Sequence, residues 1–217
     1  MITVLHLYPA ELGINGDVGN VMALSKRAQW REMPLRVVDH NPGNQLPDEV
    51  HLVHIGSGPA SAQQLVRDDL ERIGEPLREW ATAGVPFLAI AGGWQLLGET
   101  LTGLDGLARP GVGIFPTSAR LTERRTVREV WHDDVAGFEN YGAETTGASW
   151  PVFEHGASVA TNLHGPFLPM NPAWADRLLH RAASRAGVPM GEPDARTAEV
   201  DERAALSRRA IRGRLGA

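Results

Sequence analysis

The sequence predicts an α/β domain of three layers, a mostly parallel sheet with helices on both faces. Phe87–Ala91 is an apolar run without alternation, as in a parallel strand covered on both sides, and Ile2–Leu7 and Val50–Ile55 read as further strands. Turn-forming or glycine-rich residues follow each run, and segments of helical periodicity come next. At 217 residues and 42% hydrophobic content there is enough chain for one domain with a full core.

The elements follow in order. Ile2–Leu7 is a first buried strand, and Tyr8–Asn20 is a loop dense in turn formers, with Asp17 placed to cap a helix near Val18–Glu32. Leu35–Asp39 reads as a second strand, and Asn41-Pro-Gly-Asn-Gln-Leu-Pro-Asp48 as a surface turn. Val50–Ile55 is a third strand that runs into Gly56-Ser57-Gly58. His51 and His54 fall on opposite faces of that strand, which argues against a shared metal. Ala60–Ala83 is helical, with Leu65, Leu70, Ile73, Leu77 and Trp80 as its apolar stripe and Pro76 as a kink or break.

Next comes Gly84-Val-Pro-Phe-Leu-Ala-Ile-Ala-Gly-Gly-Trp-Gln-Leu-Leu-Gly98. A strand, a tight glycine turn and a helix form a nucleophile elbow, which lifts one side chain above the carboxyl edge of a sheet. That side chain is Ala91, so the site is assembled around a missing nucleophile. β structure is expected between Ser118 and Gly142, with Glu123-Arg124 as a turn candidate, and a strand from Val159 delivers His164 just before Gly165-Pro166. Asn171 is placed to cap a helix over Pro172–Arg185, with Pro172 suited to its first turn. A division follows into a domain over residues 1–186 and a linker with a helical tail over 187–217; the tail helix, Thr197–Arg212, aligns Val200, Ala204 and Ile211.

Composition narrows the function. Net charge of −5 and an isoelectric point near 5.9 argue against nucleic acid as the main partner. No apolar stretch reaches membrane-spanning length and Met1-Ile-Thr-Val lacks a basic signal-peptide start, so a cytoplasmic protein without membrane insertion is expected. The absence of cysteine excludes disulfides, cysteine-ligated metal and thiol catalysis in this sequence. No Gly-x-x-x-x-Gly-Lys-Ser/Thr loop is present to hold ATP, and no cofactor is expected.

Several motifs together resemble the class I glutamine amidotransferases of the cobyric-acid-synthase-like group. Ala89-Ile-Ala-Gly-Gly-Trp-Gln-Leu-Leu-Gly98 is similar to their elbow, which has cysteine at the position of Ala91. Leu7-Tyr-Pro with Asn15-Gly-Asp-Val-Gly-Asn20, Gly137-Phe-Glu-Asn-Tyr-Gly142 and Thr161-Asn-Leu-His-Gly-Pro166 are similar to further signatures of the group. Within it, the chain most resembles GatD-type glutaminase subunits of lipid II isoglutaminyl synthase. Residues 3–180 carry the likeness.

The resemblance implies a flavodoxin-like fold and a glutaminase. A cysteine at position 91 attacks the side-chain amide of L-glutamine, His164 manages the proton, and amides of the Gly56-Ser57-Gly58 turn face the oxyanion, with Gly92 among the substrate-binding residues. Arg125 matches a motif whose arginine helps hold substrate, and its planar guanidinium suits the α-carboxylate. Gln95, Glu139 and Asn140 complete the expected substrate contacts. No third triad member is visible near His164, since Pro166 stands where many relatives carry glutamate. The resemblance implies that a partner supplies it. That partner is a Mur-ligase-like ATP-dependent subunit in a heterodimer, which uses the ammonia to amidate the D-glutamate of lipid II. With Ala91 the chain is expected to bind glutamine without forming a thioester, whether the alanine is a deliberate replacement or a natural loss. The competing readings are a non-catalytic glutamine-binding or scaffolding subunit and a corrinoid-pathway relative.

Overall fold

The computed structural model describes residues 1–217. A six-stranded sheet forms the centre, in the order β2 (Leu35–His40), β1 (Ile2–Leu7), β3 (Leu52–Ile55), β4 (Phe87–Ile90), β10 (Ser158–Thr161), β9 (Val152–His155). The first five are parallel and only the edge strand β9 is antiparallel. All of β1, β3, β4 and β10 is buried, as in parallel strands covered on both faces. Two hydrophobic clusters lie on the sheet's opposite faces. One packs Val66, Leu70, Ile73 and Leu77 of α2 (Ala60–Thr82) against Leu5, Val53 and Phe87. The other packs Leu24 and Ala28 of α1 (Val18–Gln29) and Leu178, Leu179 and Ala182 of α5 (Pro172–Arg185) against Val4, Leu52 and Leu88. The three-layer expectation holds.

A second sheet extends it. Its strands run β11 (Leu163–His164), β8 (Val135–Thr146), β7 (Ser118–His132), β5 (Thr100–Thr102), β6 (Ala108–Pro110), antiparallel except for β5 with β7. β7 and β8 form a long two-stranded arm. Glu123-Arg124 does not turn the chain: β7 continues through it, and the ladder with β8 shifts register between Leu121 and Thr126. Such a bulge bends a strand and re-aims its side chains.

Other local expectations are corrected. Pro76 neither ends nor splits α2, which runs unbroken to Thr82. Leu65 is 71% exposed, and Val66 takes the buried place on the stripe instead. Asn171 does not cap α5 with its side chain; its amide group bonds Ala136 N and O and Phe167 O, tying α4 (Phe167–Met170) to β8. The tail folds as α6 (Ala195–Leu215), capped by Asp194 through Thr197 N, with Ala204 and Ile211 buried. No helix is long and apolar enough to cross a membrane.

Candidate active site

β4 ends at Ile90, and Ala91 stands between it and α3 (Gly92–Leu97) with φ 41° and ψ −102°. A residue with a Cβ rarely adopts this backbone, and strain of this kind costs about 1–3 kcal/mol and persists only where the surroundings enforce it. Two hydrogen bonds enforce it here: Ala91 N donates 2.8 Å to Thr161 O of the neighbouring strand, and Gln95 N donates 2.9 Å to Ala91 O. The turn also demands its glycines. A Cβ on Gly93 would stand 2.5 Å from Gly56 O, and one on Gly92 would stand 3.1 Å from Gly58 O. The expected elbow is present.

β10 lies beside β4, with Thr161 level with Ile90, so Ala91 follows β4 and His164, in β11 three residues past the end of β10, follows from the same carboxyl edge of adjacent parallel strands. This is where open α/β sheets place their sites. His164 is 2% exposed. Its Nδ1 lies 3.0 Å from Asp17 Oδ1, while its Nε2 is buried without a partner.

Asp17 is the residue that the sequence reading misplaced. Its side chain makes no cap to α1. It is fully buried, and its second oxygen, Oδ2, accepts the Ser57 amide at 2.9 Å. The rest of its motif is equally committed. Asn15 Oδ1 accepts from Asn140 Nδ2 at 3.2 Å, Asn20 Oδ1 accepts Leu168 N at 2.8 Å, and a Cβ on Gly19 would meet Pro166 Cγ at 2.5 Å. A stretch that spacing presents as a rigid connection therefore joins the histidine loop, the Gly56–Gly58 turn and the β7–β8 arm. The turn itself lies close under this loop, since a Cβ on Gly56 would stand 2.2 Å from Leu12 O.

The turn's amides are not equivalent. The Ser57 amide is taken by Asp17, and Ser57 Oγ accepts the Gly92 amide at 3.3 Å. The Gly58 amide has no acceptor within the chain.

A cavity of about 260 Å³ opens beside these groups. Ser57, Gly58, Gly92 and Gln95 line it from the first sheet's loops, and Arg125, Asn140 and Tyr141 from the arm. Gln95 Oε1 accepts from Gln63 Nε2 at 3.2 Å, which fixes the Gln95 carboxamide. Arg125 sits in the β7 bulge, exposed, and its guanidinium bonds only Asn140, through Oδ1 at 2.9 Å and the backbone O at 3.0 Å. It has no carboxylate partner in the chain. Burial pushes the Tyr141 phenol above its usual range, and the nearby Glu139 adds to this, so Tyr141 faces the cavity as a neutral hydroxyl.

Glu139 does not join the expected substrate contacts. It is fully buried on the other side of β8 from Asn140, with its carboxylate held by Arg128 Nε and, at 2.6 Å, by Trp150 Nε1. Its carboxylate is thus spoken for, and only Asn140 of this pair lines the cavity. His51 and His54 are both buried and hydrogen-bonded, and no cluster of side chains could hold a metal ion.

Comparisons with known proteins bear on the family and the fold. The family model of the CobB/CobQ-like glutamine amidotransferase domain matches residues 3–172. The chain is 32% identical to the GatD subunit of the glutamine-hydrolysing lipid II isoglutaminyl synthase of Staphylococcus aureus, over 97% of this chain and 94% of that one. It is 31% identical to a cobyric acid synthase of Parasynechococcus marenigrum over 72% of this chain but only 37% of that longer protein. Among solved structures, a glutamine amidotransferase from Thermotoga maritima superposes with a TM-score of 0.52 at 14% identity, covering 99% of this chain and 94% of that one, a likeness of fold.

Proposed function

The chain belongs to the CobB/CobQ-like glutamine amidotransferase family, and from that premise we propose that it is the glutaminase subunit of an amidoligase acting on lipid II, silenced at position 91. The observation that carries this reading is the strained elbow at Ala91 together with a buried histidine, delivered past the end of the neighbouring strand, whose Nε2 has no partner. A strained turn is costly, and so is an unsatisfied buried nitrogen; a nucleophile's S–H or O–H at position 91 gives both a purpose.

In the competent form, a cysteine at this position gives its proton to His164 Nε2, and the sulfur attacks the δ-carbon of glutamine. The tetrahedral oxyanion takes a hydrogen bond from the free Gly58 amide, and a second from the Gly92 amide as that group leaves Ser57 Oγ. Collapse expels ammonia, which leaves with the proton returned by His164. Water then attacks the thioester, and glutamate and the free thiol are regenerated. Arg125 receives the α-carboxylate of the substrate in two parallel hydrogen bonds, while Gln95, Asn140 and Tyr141 wall the cavity. No group in this chain activates a carboxylate, so the ammonia passes to a Mur-ligase-like ATP-dependent subunit in the cytoplasm. The extent of the match to the staphylococcal subunit, nearly end to end on both chains, supports the stand-alone subunit over a corrinoid-pathway enzyme.

The test is glutamate release from Ala91→Cys protein, alone and with the ligase subunit, beside the present sequence. Release from the variant and none from Ala91 protein, a difference of about 10⁴–10⁶-fold, is expected, since deleting a nucleophile costs on that order. Ala91 itself favours a second reading, a glutamine-binding subunit that supports its partner without hydrolysis. Absence of release from the Ala91→Cys protein even with its partner would establish that reading instead.

A further inference from the structure

We propose that Asp17 is the positioning residue for His164, so that the proton relay of this site is completed within the chain rather than by a partner subunit. The inference rests on the glutaminase reading for its chemistry but on the coordinates of Asp17 for its geometry. Asp17 is fully buried, and each of its oxygens has one strong donor: His164 Nδ1 at 3.0 Å on Oδ1, and the Ser57 amide at 2.9 Å on Oδ2. A backbone N–H only donates, so Oδ2 is committed. An ionised carboxylate only accepts, so the contact at Oδ1 requires the proton to sit on His164 Nδ1. The neutral imidazole then presents a bare Nε2, the form in which it can take a proton from a nucleophile. The buried, unpartnered Nε2 is the free end of this arrangement.

One carboxylate thus sets two parts of the site at once. It fixes the tautomer and orientation of the base, and it holds the Ser57 backbone so that Gly58 follows with its amide free and Ser57 Oγ meets Gly92 N. Pro166, in the place where many class I enzymes carry glutamate, is consistent with this division of labour: the chain's third acid arrives from the loop after β1, 147 residues away in sequence.

The substitution Asp17→Asn gives a sharp outcome. The side-chain amide keeps one acceptor and gains a donor. The Ser57 N–H takes the acceptor, which leaves an NH₂ facing His164 Nδ1 and drives the ring to its Nε2–H tautomer, unable to act as a base.

The experiment is a long-range ¹H–¹⁵N spectrum of histidine-labelled protein of the present sequence and of its Asp17→Asn variant at neutral pH, with glutaminase kinetics of the same change in an Ala91→Cys background. The expected result is His164 protonated at Nδ1 in the parent and at Nε2 in the variant. Loss of kcat by about 10²–10⁴-fold with KM for glutamine little changed should accompany it, as wrong-tautomer changes in related relays do. Parent protein with His164 protonated at Nε2 would overturn the proposal without any need for the variant to fold. So would a variant that keeps kcat, or one whose kcat is restored by adding the ligase subunit, since the acid would then come from the partner. A tautomer switch in protein that shows no glutaminase activity even with cysteine at position 91 would leave the positioning role intact and remove the glutaminase reading instead.

Discussion

Position 91 joins conformation to chemistry in one residue. Alanine at φ 41° gains nothing from the strain it carries, since it has no reacting atom. Ala91→Gly should therefore raise stability by about 1 kcal/mol, the relief of a left-handed backbone outweighing the extra freedom of the unfolded chain. Gly93→Ala should do the opposite, because the new Cβ meets the Gly56 carbonyl at 2.5 Å and backbone lies on both sides of the clash. A loss of about 1–3 kcal/mol is expected, as for overpacking elsewhere, and urea midpoints of the two variants against the parent check both signs. The elbow was legible because all its determinants lie within a few residues. Asp17 was not: before Val18 it satisfies the rule for a helix cap, and only the fold brings His164 to it. Glu139 and Asn140 failed to separate for a related reason. A motif names both, but the partners the fold supplies decide which one faces the cavity: Arg128 and Trp150 hold Glu139, whereas Arg125 and Asn15 meet Asn140.

At the scale of elements, α2 shows what binds the helix between β3 and β4 to the sheet. Asp69, one turn before Ile73, accepts from Tyr8 Oη at 2.8 Å, from His40 Nε2 at 2.8 Å, from the Gly43 amide at 2.8 Å and from Arg72. It links β1, β2 and α2. Burial alone would push its carboxyl up, but the hydrogen bonds from Gly43, His40, Arg72 and Tyr8 outweigh it and hold the group well below the usual carboxylate range. A depressed carboxyl contributes stability that is fully present above its unfolded value, about 3.9, and is lost as pH falls through the folded one. Asp69→Asn should cost about 1–3 kcal/mol at pH 7 by leaving buried donors unmatched, and the difference from the parent should shrink below pH 4. Chemical denaturation at pH 7 and pH 3 reads this directly. The sequence showed α2 and most of its apolar stripe through periodicity. The exchange of Leu65 for Val66 escaped it because adjacent apolar residues leave the stripe's phase open until the helix docks.

At the scale of the molecule, the cavity is shared between two sheets, and something must hold them in register. β4 and β10 carry Ala91 and lead to His164, whereas Arg125 and Asn140 belong to the β7–β8 arm. The α6 helix bridges the layers. Asp201 pairs with the buried Arg27 of α1 at 2.6 Å, Arg208 Nη1 donates to Met170 O of α4 at 2.7 Å, and Arg214 grips Glu129 of β7 at 2.5 Å. Arg212 lies 5.5 Å over the Trp131 ring on the same strand. The exposed pairs among these contribute little singly, but Arg27 is 3% exposed and in the absence of α6 would keep only Asp176, which it shares with Arg31, as a nearby acid. In composition the tail reads as a charged, solvated helix, so its docking depended on long-range partners that periodicity does not reveal. Removing residues 194–217 should leave the six-stranded sheet folded, since its two hydrophobic clusters draw on no residue of α6. The arm should loosen against it, so glutamine binding to the Ala91 protein, measured by calorimetry, should weaken by about tenfold or more, the equivalent of roughly 1.4 kcal/mol. Unchanged affinity in the truncated chain would mean that β11 and the Asn15–Asn140 contact alone hold the two halves of the cavity together.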